Sequence, residues 1–258
     1  MHDPRSIPPV RPVHRRAFTL IELLLSVTVI ALLAALMLPS FAKARQQGRA
    51  TLCGSNLHQL GLAATMYLNE NNDALWPYKW DAPGGINWWF GFEPGGPNVG
   101  QANRPLDRDR SILARYIENV HETFLCPAFP YKRGHYFPKF ADRSTSYGYN
   151  VHLIPRRRDR IQRLTDVFLF ADGVHFDFGD DRLNEPAYIQ YAPNINMRTG
   201  YGHFRHNGLA NVLYLDGHVE SQPLRGPAYR LECNGPAGNL TDRAGGNSLY
   251  YIRPVPRP

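Results

Sequence analysis

Two aspartates and two histidines in the C-terminal half have side chains that could bind a divalent metal. Asp172 follows the run VFLFA, and His206, Asp216 and His218 lie within the stretch RHNGLANVLYLDGHVE. Carboxylate and imidazole groups suit several divalent ions. However, an Asp before Gly is also a common turn residue, because its side chain hydrogen-bonds its own turn. We therefore expect turns here and predict no bound metal and no cofactor.

Common catalytic motifs are missing from the sequence. It contains no G-x-S-x-G, no P-loop, no H-E-x-x-H and no dinucleotide-binding fingerprint. We therefore expect no catalytic residues and no enzymatic activity.

Four tryptophans form a second candidate site. Trp76, Trp80, Trp88 and Trp89 lie in a stretch rich in Gly and Pro that reads as a long loop or a pair of loops. Flat indole rings could stack on a sugar, but large aromatic side chains in such loops more often cover the edge of a core. A core role is favoured, and glycan binding is the alternative.

The three cysteines do not form a metal-binding knuckle. Cys53, Cys126 and Cys233 contain no C-x-x-C pair and no His at zinc spacing. If the chain is exported, one pair could form a disulfide. Because Cys53 falls in a helical pattern, the pair we expect is Cys126 with Cys233.

The positive charge is partly local. Of the net charge of +7, a net +3 lies in the first 17 residues, where Arg5, Arg11, Arg15 and Arg16 outnumber Asp3. The remainder is modest for a chain of this size and follows no basic stripe with interleaved aromatics. We expect no nucleic-acid partner.

Residues 18–38 are apolar over about the 20 residues that a membrane-spanning helix needs. A cleavable signal peptide, a plain anchor and an assembly helix are the three alternatives, and Ser40-Phe41-Ala42 would suit signal peptidase. Glu22 distinguishes them, because a carboxylate inside a membrane helix usually has a partner. If the chain is cut between Ala17 and Phe18, the new amino group of one copy could pair with Glu22 of another.

The string AFTLIEL at residues 17–23 resembles the leader of type IV pilins and type II secretion pseudopilins, although Ala17 stands where pilins commonly have Gly. The resemblance implies that prepilin peptidase cuts before Phe18 and methylates its amino group. It also implies that Glu22 and Pro39, which commonly kinks the helix of these subunits, serve assembly with other pilin-like subunits. The alternative for Pro39 is that it ends the span. The protein would be a single-pass inner-membrane protein, with its head in the periplasm or on an extracellular filament.

The C-terminal half resembles the H-x9-D-G element of many prepilin-type proteins. His206 is followed by nine residues and then by Asp216 and Gly217. The stretch CGSNLHQL from Cys53, the pair Cys126-Pro127 and residues 146–150 add to this resemblance. It identifies the family better than it identifies an activity.

The predicted fold is α+β and pilin-like, with a long N-terminal helix and an antiparallel β-sheet. The predicted parts are a leader at 1–17, a membrane helix at 18–38, its distal amphipathic half at 39–72 and a head at 73–258. Cys53, Leu57, Leu60, Ala64 and Tyr67 form the apolar stripe of the distal half. Asp-Gly at 172–173 and 216–217 predicts two hairpins, with strands at 167–170 and 212–215 as neighbours. The predicted function is a structural subunit of a secretion or pilus machine; the alternative is an exported glycan- or metal-binding domain.

Overall fold

The structure is a computed structural model, and it divides the chain into two units. It describes residues 19–95, 102–131, 136–177, 182–190, 199–224, 228–231 and 235–238. The first unit is Met1–Ala44 and the second is Arg45–Pro258. The predicted leader, including Ala17 and Phe18, lies outside the described residues, as does Cys233.

One long helix, α1, covers Leu20–Glu70. Helix formers dominate it, and Pro39 lies inside it rather than at its end. The helix therefore continues past Pro39 to Glu70. The helix stops where Asn72 and Asp73 adopt left-handed backbone angles, with φ of 53° and 60°. The second helix, α2, is the short segment Val120–Thr123, and the Asn119 side chain accepts a hydrogen bond from the Glu122 backbone N–H.

A three-stranded antiparallel sheet replaces the loop predicted around the tryptophans. Its strands, in order, are β1 Lys79–Ala82, β2 Gly85–Trp88 and β3 Gly91–Pro94. The loop prediction, which rested on the Gly and Pro content of the stretch, was wrong because two of the glycines serve the turn and the close packing of these strands. Gly84, at φ +80°, turns the chain between β1 and β2, and a Cβ on Gly85 would lie 2.0 Å from the Glu93 carbonyl oxygen.

The remaining strands form a larger, mostly antiparallel sheet. Among the described residues its strands are β4 Tyr147–Asn150, β5 Phe168–Asp177, β6 Arg182–Asn184, β7 Tyr188–Ile189, β8 Thr199–His203, β9 Leu209–Tyr214, β10 Val219–Pro223, β11 Ala228–Leu231 and β12 Gly235–Gly238. The main path of the sheet runs β10-β9-β5-β8-β12-β11; β4 and β6 also pair with β5, and β7 pairs in parallel with β4.

The two Asp-Gly pairs behave differently. Asp216-Gly217 makes the turn between β9 and β10, with Gly217 at φ +93°, so that hairpin is confirmed. The hairpin at Asp172-Gly173 is wrong, because β5 runs straight through these residues. The predicted neighbours do pair, with Ala171 of β5 opposite Val212 of β9.

The core is built on both faces of the large sheet. Leu213 belongs to the cluster that includes Cys53, Leu57 and Leu60 of α1, whereas its neighbour Val212 belongs to a cluster on the opposite face. This alternation is expected, because successive side chains of a strand point to opposite faces. The fold is therefore α+β, with a long N-terminal helix and an antiparallel sheet, as predicted.

Candidate functional site

Glu22 caps the start of α1. The Thr19 backbone N–H and hydroxyl donate to Glu22 Oε2 at 2.9 and 2.8 Å, and the Glu22 N–H donates to Thr19 Oγ1 at 3.3 Å. This reciprocal arrangement is a capping box, which satisfies backbone donors that the first turn leaves free. Glu22 therefore has local partners within its own chain, which the sequence argument had not identified, and it remains exposed.

The helix that follows Glu22 is apolar and uncovered. An 18-residue window within α1 has a mean hydropathy of 2.6, and none of it is buried in the structure. Its polar side chains bond within the helix: Ser26 Oγ donates to the Glu22 carbonyl at 2.7 Å and Thr28 Oγ1 to the Leu25 carbonyl at 2.8 Å. Both hydroxyls are thus satisfied without water, as a hydrocarbon environment requires. This segment fits a single-pass membrane anchor.

The distal half of α1 is packed into the head. The predicted stripe is confirmed for Cys53, Leu57, Leu60 and Ala64, all of which are buried, while Tyr67 is half-buried. Gly61 allows this approach, since a Cβ there would lie 2.8 Å from Leu213 Cδ1.

The residues of the H-x9-D-G pattern lie at the two ends of β9. Asn207 and Gly208, both at positive φ, make a two-residue turn in which His206 and Leu209 exchange backbone hydrogen bonds of 3.0 Å. Asp216 follows the other end of β9, and a strand of six residues spans about 20 Å. The pattern therefore marks the start and the end of one strand rather than one binding site.

Asp216 supports its own turn. Its Oδ1 accepts from the His218 backbone N–H at 3.2 Å and lies 2.6 Å from His218 Nδ1. The His218 ring stacks on Tyr214, with ring centroids 4.2 Å apart. The four-residue metal site considered from the sequence is thus not assembled, because Asp216 and His218 are at one end of β9 and His206 is at the other.

His206 and Asp172 instead meet two cysteines. The Cys53 and Cys126 thiols, an Asp172 carboxylate oxygen and an imidazole nitrogen of His206 all lie within 4.8 Å of one another, and all four residues are buried. We call these four residues the thiol cluster. They come from α1, the loop after α2, β5 and the turn before β9, so that only the folded head brings them together.

Short contacts connect the members of the thiol cluster. Cys53 Sγ donates to Asp172 Oδ1 at 3.1 Å. His206 Nε2 lies 3.4 Å from Cys126 Sγ and 3.2 Å from Asp172 Oδ2. His206 Nδ1 is buried and has no hydrogen-bond partner among the described residues.

Arg205 is the buried cation beside the thiol cluster. Its Nη2 pairs with Asp172 Oδ1 and donates to the Ser146 carbonyl at 2.8 Å, and its Nε donates to Cys126 Sγ at 3.2 Å. Asp172 Oδ2 also accepts from the Asn211 backbone N–H at 2.8 Å. This pairing explains why Asp172 does not make a turn: a buried carboxylate needs a partner, and Arg205 provides it from across the sheet.

The surroundings shift the pKa values of the acidic and basic members. Burial opposes the ionisation of Asp172, but the charge of Arg205 and the hydrogen bond to His206 outweigh burial and lower the pKa of Asp172 to about 2. Burial also disfavours charged His206, but its hydrogen bonds to Asp172 and Cys126 raise its pKa to about 9. Asp172 is therefore ionised at neutral pH.

The two thiols are not equivalent. Burial, together with the hydrogen bond to Cys126, raises the pKa of Cys53. Burial acts in the same direction on Cys126, but the hydrogen bond from Cys53 and the charge of Arg205 outweigh it and lower the pKa of Cys126. Cys126 is thus the thiol that ionises first.

The thiol cluster is not arranged as a catalytic triad. A triad needs one imidazole nitrogen on the nucleophile and the other on the carboxylate. Here His206 Nε2 faces both Cys126 and Asp172, and Nδ1 faces neither. Two thiols, a carboxylate and an imidazole are, however, a suitable set of metal ligands.

The tryptophans do not form one exposed platform. Trp76 and Trp89 are buried, and Trp89 Nε1 donates to the Ala187 carbonyl at 2.7 Å. Trp88 is half-buried and donates to Glu93 Oε2 at 2.9 Å. Two of the four rings therefore belong to the core, as the favoured interpretation predicted.

Comparison with known proteins identifies the N-terminal segment alone. Residues 13–38 match the family model described as the prokaryotic N-terminal methylation motif. This match includes Ala17, Phe18 and Glu22 and ends one residue before Pro39. The chain thus carries a pilin-type leader followed by an apolar helix. Neither the curated proteins nor the solved structures include a significant match.

Proposed function

We propose that the protein is a pilin-like structural subunit of a type II secretion or type IV pilus-like machine. Prepilin peptidase cuts it between Ala17 and Phe18 and methylates the new amino group. The chain then stays in the inner membrane as a single-pass protein until α1 enters a filament of pilin-like subunits. The head lies in the periplasm or on an extracellular filament, and the protein performs no catalysis of its own.

The observation that carries this proposal is the position of Glu22. It lies in the first turn of an exposed apolar helix, within the matched methylation motif. Its capping partner Thr19 is on the same chain, so the carboxylate accepts hydrogen bonds while the subunit is still unassembled in the membrane. On assembly, the charged amino group of a neighbouring copy replaces part of this local bonding. A charge pair in an apolar filament is favourable only when both partners meet, which makes Glu22 a determinant of register.

Three variants separate the capping role of Glu22 from its charge. Thr19→Ala removes the hydroxyl of the capping box and costs α1 about 1 kcal/mol, but it keeps the carboxylate. Glu22→Gln keeps an oxygen that accepts from Thr19 and removes the charge. Glu22→Ala removes both. We expect Thr19→Ala to assemble, and both Glu22 variants to insert in the membrane but fail to enter filaments.

The assay compares the subunit in membranes with the subunit in sheared filaments, and it determines the N-terminus by intact mass and terminal sequencing. The expected N-terminus is methylated Phe18. A chain that begins at Lys43 would show that an ordinary signal peptidase removed the apolar half of α1, and the proposal would fail. Normal assembly of Glu22→Gln would refute the charge-pair argument while leaving the processing result intact.

The glycan-binding alternative has no observation in its favour. Burial of Trp76 and Trp89 removes two of the four rings on which it depended. The metal-binding alternative does have an observation in its favour. The structure brings together the thiol cluster instead of the four residues considered from the sequence.

A further inference from the structure

We propose that the thiol cluster binds a structural zinc ion through Cys53, Cys126, Asp172 and His206. This site lies in the head and is independent of the assembly role proposed for α1. It fixes the distal half of α1 to the sheet, because Cys53 belongs to the helix and Asp172 to β5.

The spacing of the ligand atoms fits a tetrahedral ion. Zinc bonds of about 2.0–2.3 Å place neighbouring ligand atoms of a tetrahedron roughly 3.3–3.8 Å apart. Cys126 Sγ lies 3.4 Å from His206 Nε2. The two Asp172 oxygens, one of which would coordinate, lie 3.1 Å from Cys53 Sγ (Oδ1) and 3.2 Å from His206 Nε2 (Oδ2). No ligand atom lies more than 4.8 Å from another. An ion therefore requires small side-chain shifts and no rearrangement of the backbone.

The charges around the site balance when a divalent ion is present. Two thiolates and the Asp172 carboxylate carry three negative charges, and Arg205 supplies one positive charge beside them. With His206 neutral, a divalent cation brings the buried sum to zero, which matters because an uncompensated charge in a low-dielectric interior is costly. The thiol protons and the second imidazole proton of His206 pass to solvent when the ion binds.

Donors outside the thiol cluster already hold the ligands. Arg205 Nε donates to Cys126 Sγ at 3.2 Å, the Tyr147 hydroxyl to Cys53 Sγ at 3.3 Å and the Asn211 N–H to Asp172 Oδ2 at 2.8 Å. Hydrogen bonds of this kind orient ligands and adjust metal affinity. Each of the three anionic ligands thus has an outer partner.

The ligand types favour zinc, and the burial favours a structural role. Two sulfurs, one nitrogen and one oxygen suit zinc better than they suit magnesium or calcium, which prefer oxygen ligands. Four protein ligands complete a tetrahedron and leave no position for a reacting water. A surface groove of about 340 Å³ is lined by Cys126, Asn56 and Tyr131 among others, so one of the four ligands borders it.

The test uses the full chain, purified in detergent under reducing conditions without a histidine tag. Metal analysis after exchange into metal-free buffer gives the zinc content, and we expect one zinc per chain. Replacement by Co²⁺ should give the visible bands of a tetrahedral site and thiolate-to-cobalt charge-transfer absorption. Cys53→Ser should lose most of the thiolate-to-cobalt absorption that Cys53 contributes. Cys233→Ser should have the same cobalt spectrum as the parent.

A second pair of variants tests the site without removing a metal ligand, so that misfolding is a smaller concern. Tyr147→Phe removes only the hydroxyl that donates to Cys53 Sγ, and we expect zinc affinity to fall about tenfold or more, as is usual for loss of an outer partner. Tyr149→Phe is the matched control on the same strand, because the Tyr149 hydroxyl is buried and has no hydrogen-bond partner among the described residues. It should leave the affinity unchanged.

Two results would overturn the proposal. The first is a disulfide of Cys126 in the protein recovered from its native membrane, either with Cys53 or with Cys233 as the sequence predicted, shown by a linked peptide, since an oxidised cysteine cannot supply a thiolate. In the structure Cys53 and Cys126 are free. The second is zinc bound with the same affinity and the same cobalt spectrum in Cys53→Ser and Tyr147→Phe, which would place the ion elsewhere.

Discussion

Replacing Arg104 with Met tests whether the small sheet depends on one buried ion pair. Arg104 Nη1 lies 2.7 Å from Glu93 Oε1, and the two side chains are 10% and 1% exposed. The guanidinium also donates to the Lys139 carbonyl at 3.2 Å and lies over the Phe140 ring. Arg104→Met keeps an apolar contact with that ring, and it leaves Trp88 as the one side-chain donor to the buried carboxylate among the described residues.

The expected loss is large because a lone buried charge is left behind. Removal of one partner of a buried pair costs about 3–5 kcal/mol in the free energy of unfolding. For a chain of this size each kcal/mol lowers Tm by about 2–4 °C, so the variant should melt roughly 6–20 °C below the parent. Guanidinium titration of the detergent-solubilised chain, followed by tryptophan fluorescence, measures the change.

The double variant supplies the control. Glu93→Gln/Arg104→Met has no charge left at the pair, so it should recover more than half of the loss seen with Arg104→Met alone. Loss of less than about 1 kcal/mol in Arg104→Met would put the pair in the range of surface ion pairs and refute the reasoning. A double variant as unstable as the single one would show that the packing of the arginine stem, and not the charge, is what matters.

Three further predictions concern the head. Leu57→Ala should reduce the free energy of unfolding by about 2–5 kcal/mol in the same titration, since Leu57 is fully buried between α1 and the sheet. Leu62→Ala, at an exposed site on α1, should change the free energy of unfolding little. Gly200→Ala should abolish folding, seen as rapid proteolysis, because the new Cβ would lie 1.7 Å from the Tyr188 carbonyl oxygen; accumulation at the parent level would contradict this. Burial raises the pKa of Glu185 above its ordinary 4.5. Between the pKa of the unfolded state and that of the folded state, the folded chain keeps a proton that the unfolded chain has lost, so the free energy of unfolding falls as the pH rises. Glu185→Gln should make Tm less dependent on pH in this range. A pH dependence of Tm equal to that of the parent would contradict the prediction.

The long helix could be predicted from sequence because its signals are local. The apolar run of residues 18–38 is continuous over a membrane-spanning length, and the stripe of Cys53, Leu57, Leu60 and Ala64 repeats at helical spacing. The turn at Asp216-Gly217 is likewise formed by two adjacent residues that favour a turn. Such features depend on neighbours within a few positions, and a sequence displays these directly.

The thiol cluster could not be predicted in the same way. Asp172-Gly173 carries the same local signal as Asp216-Gly217, yet it lies within a strand because Arg205 pairs with Asp172. That pairing joins residues 33 positions apart, and no periodicity records it. The one available signal was the presence of Cys53, Cys126 and His206 in the same family resemblance.

The thiol cluster also has a consequence for the order in which the chain folds. Cys53 is made before any of the strands, and its partner His206 is made only after eight of the twelve described strands. Loop closure over such a separation is slow, and fold topologies rich in distant contacts fold slowly. Until His206 arrives, the apolar face of α1 that carries Leu57 and Leu60 has no β9 to cover it. The nascent head is therefore prone to aggregation until β9 has been made.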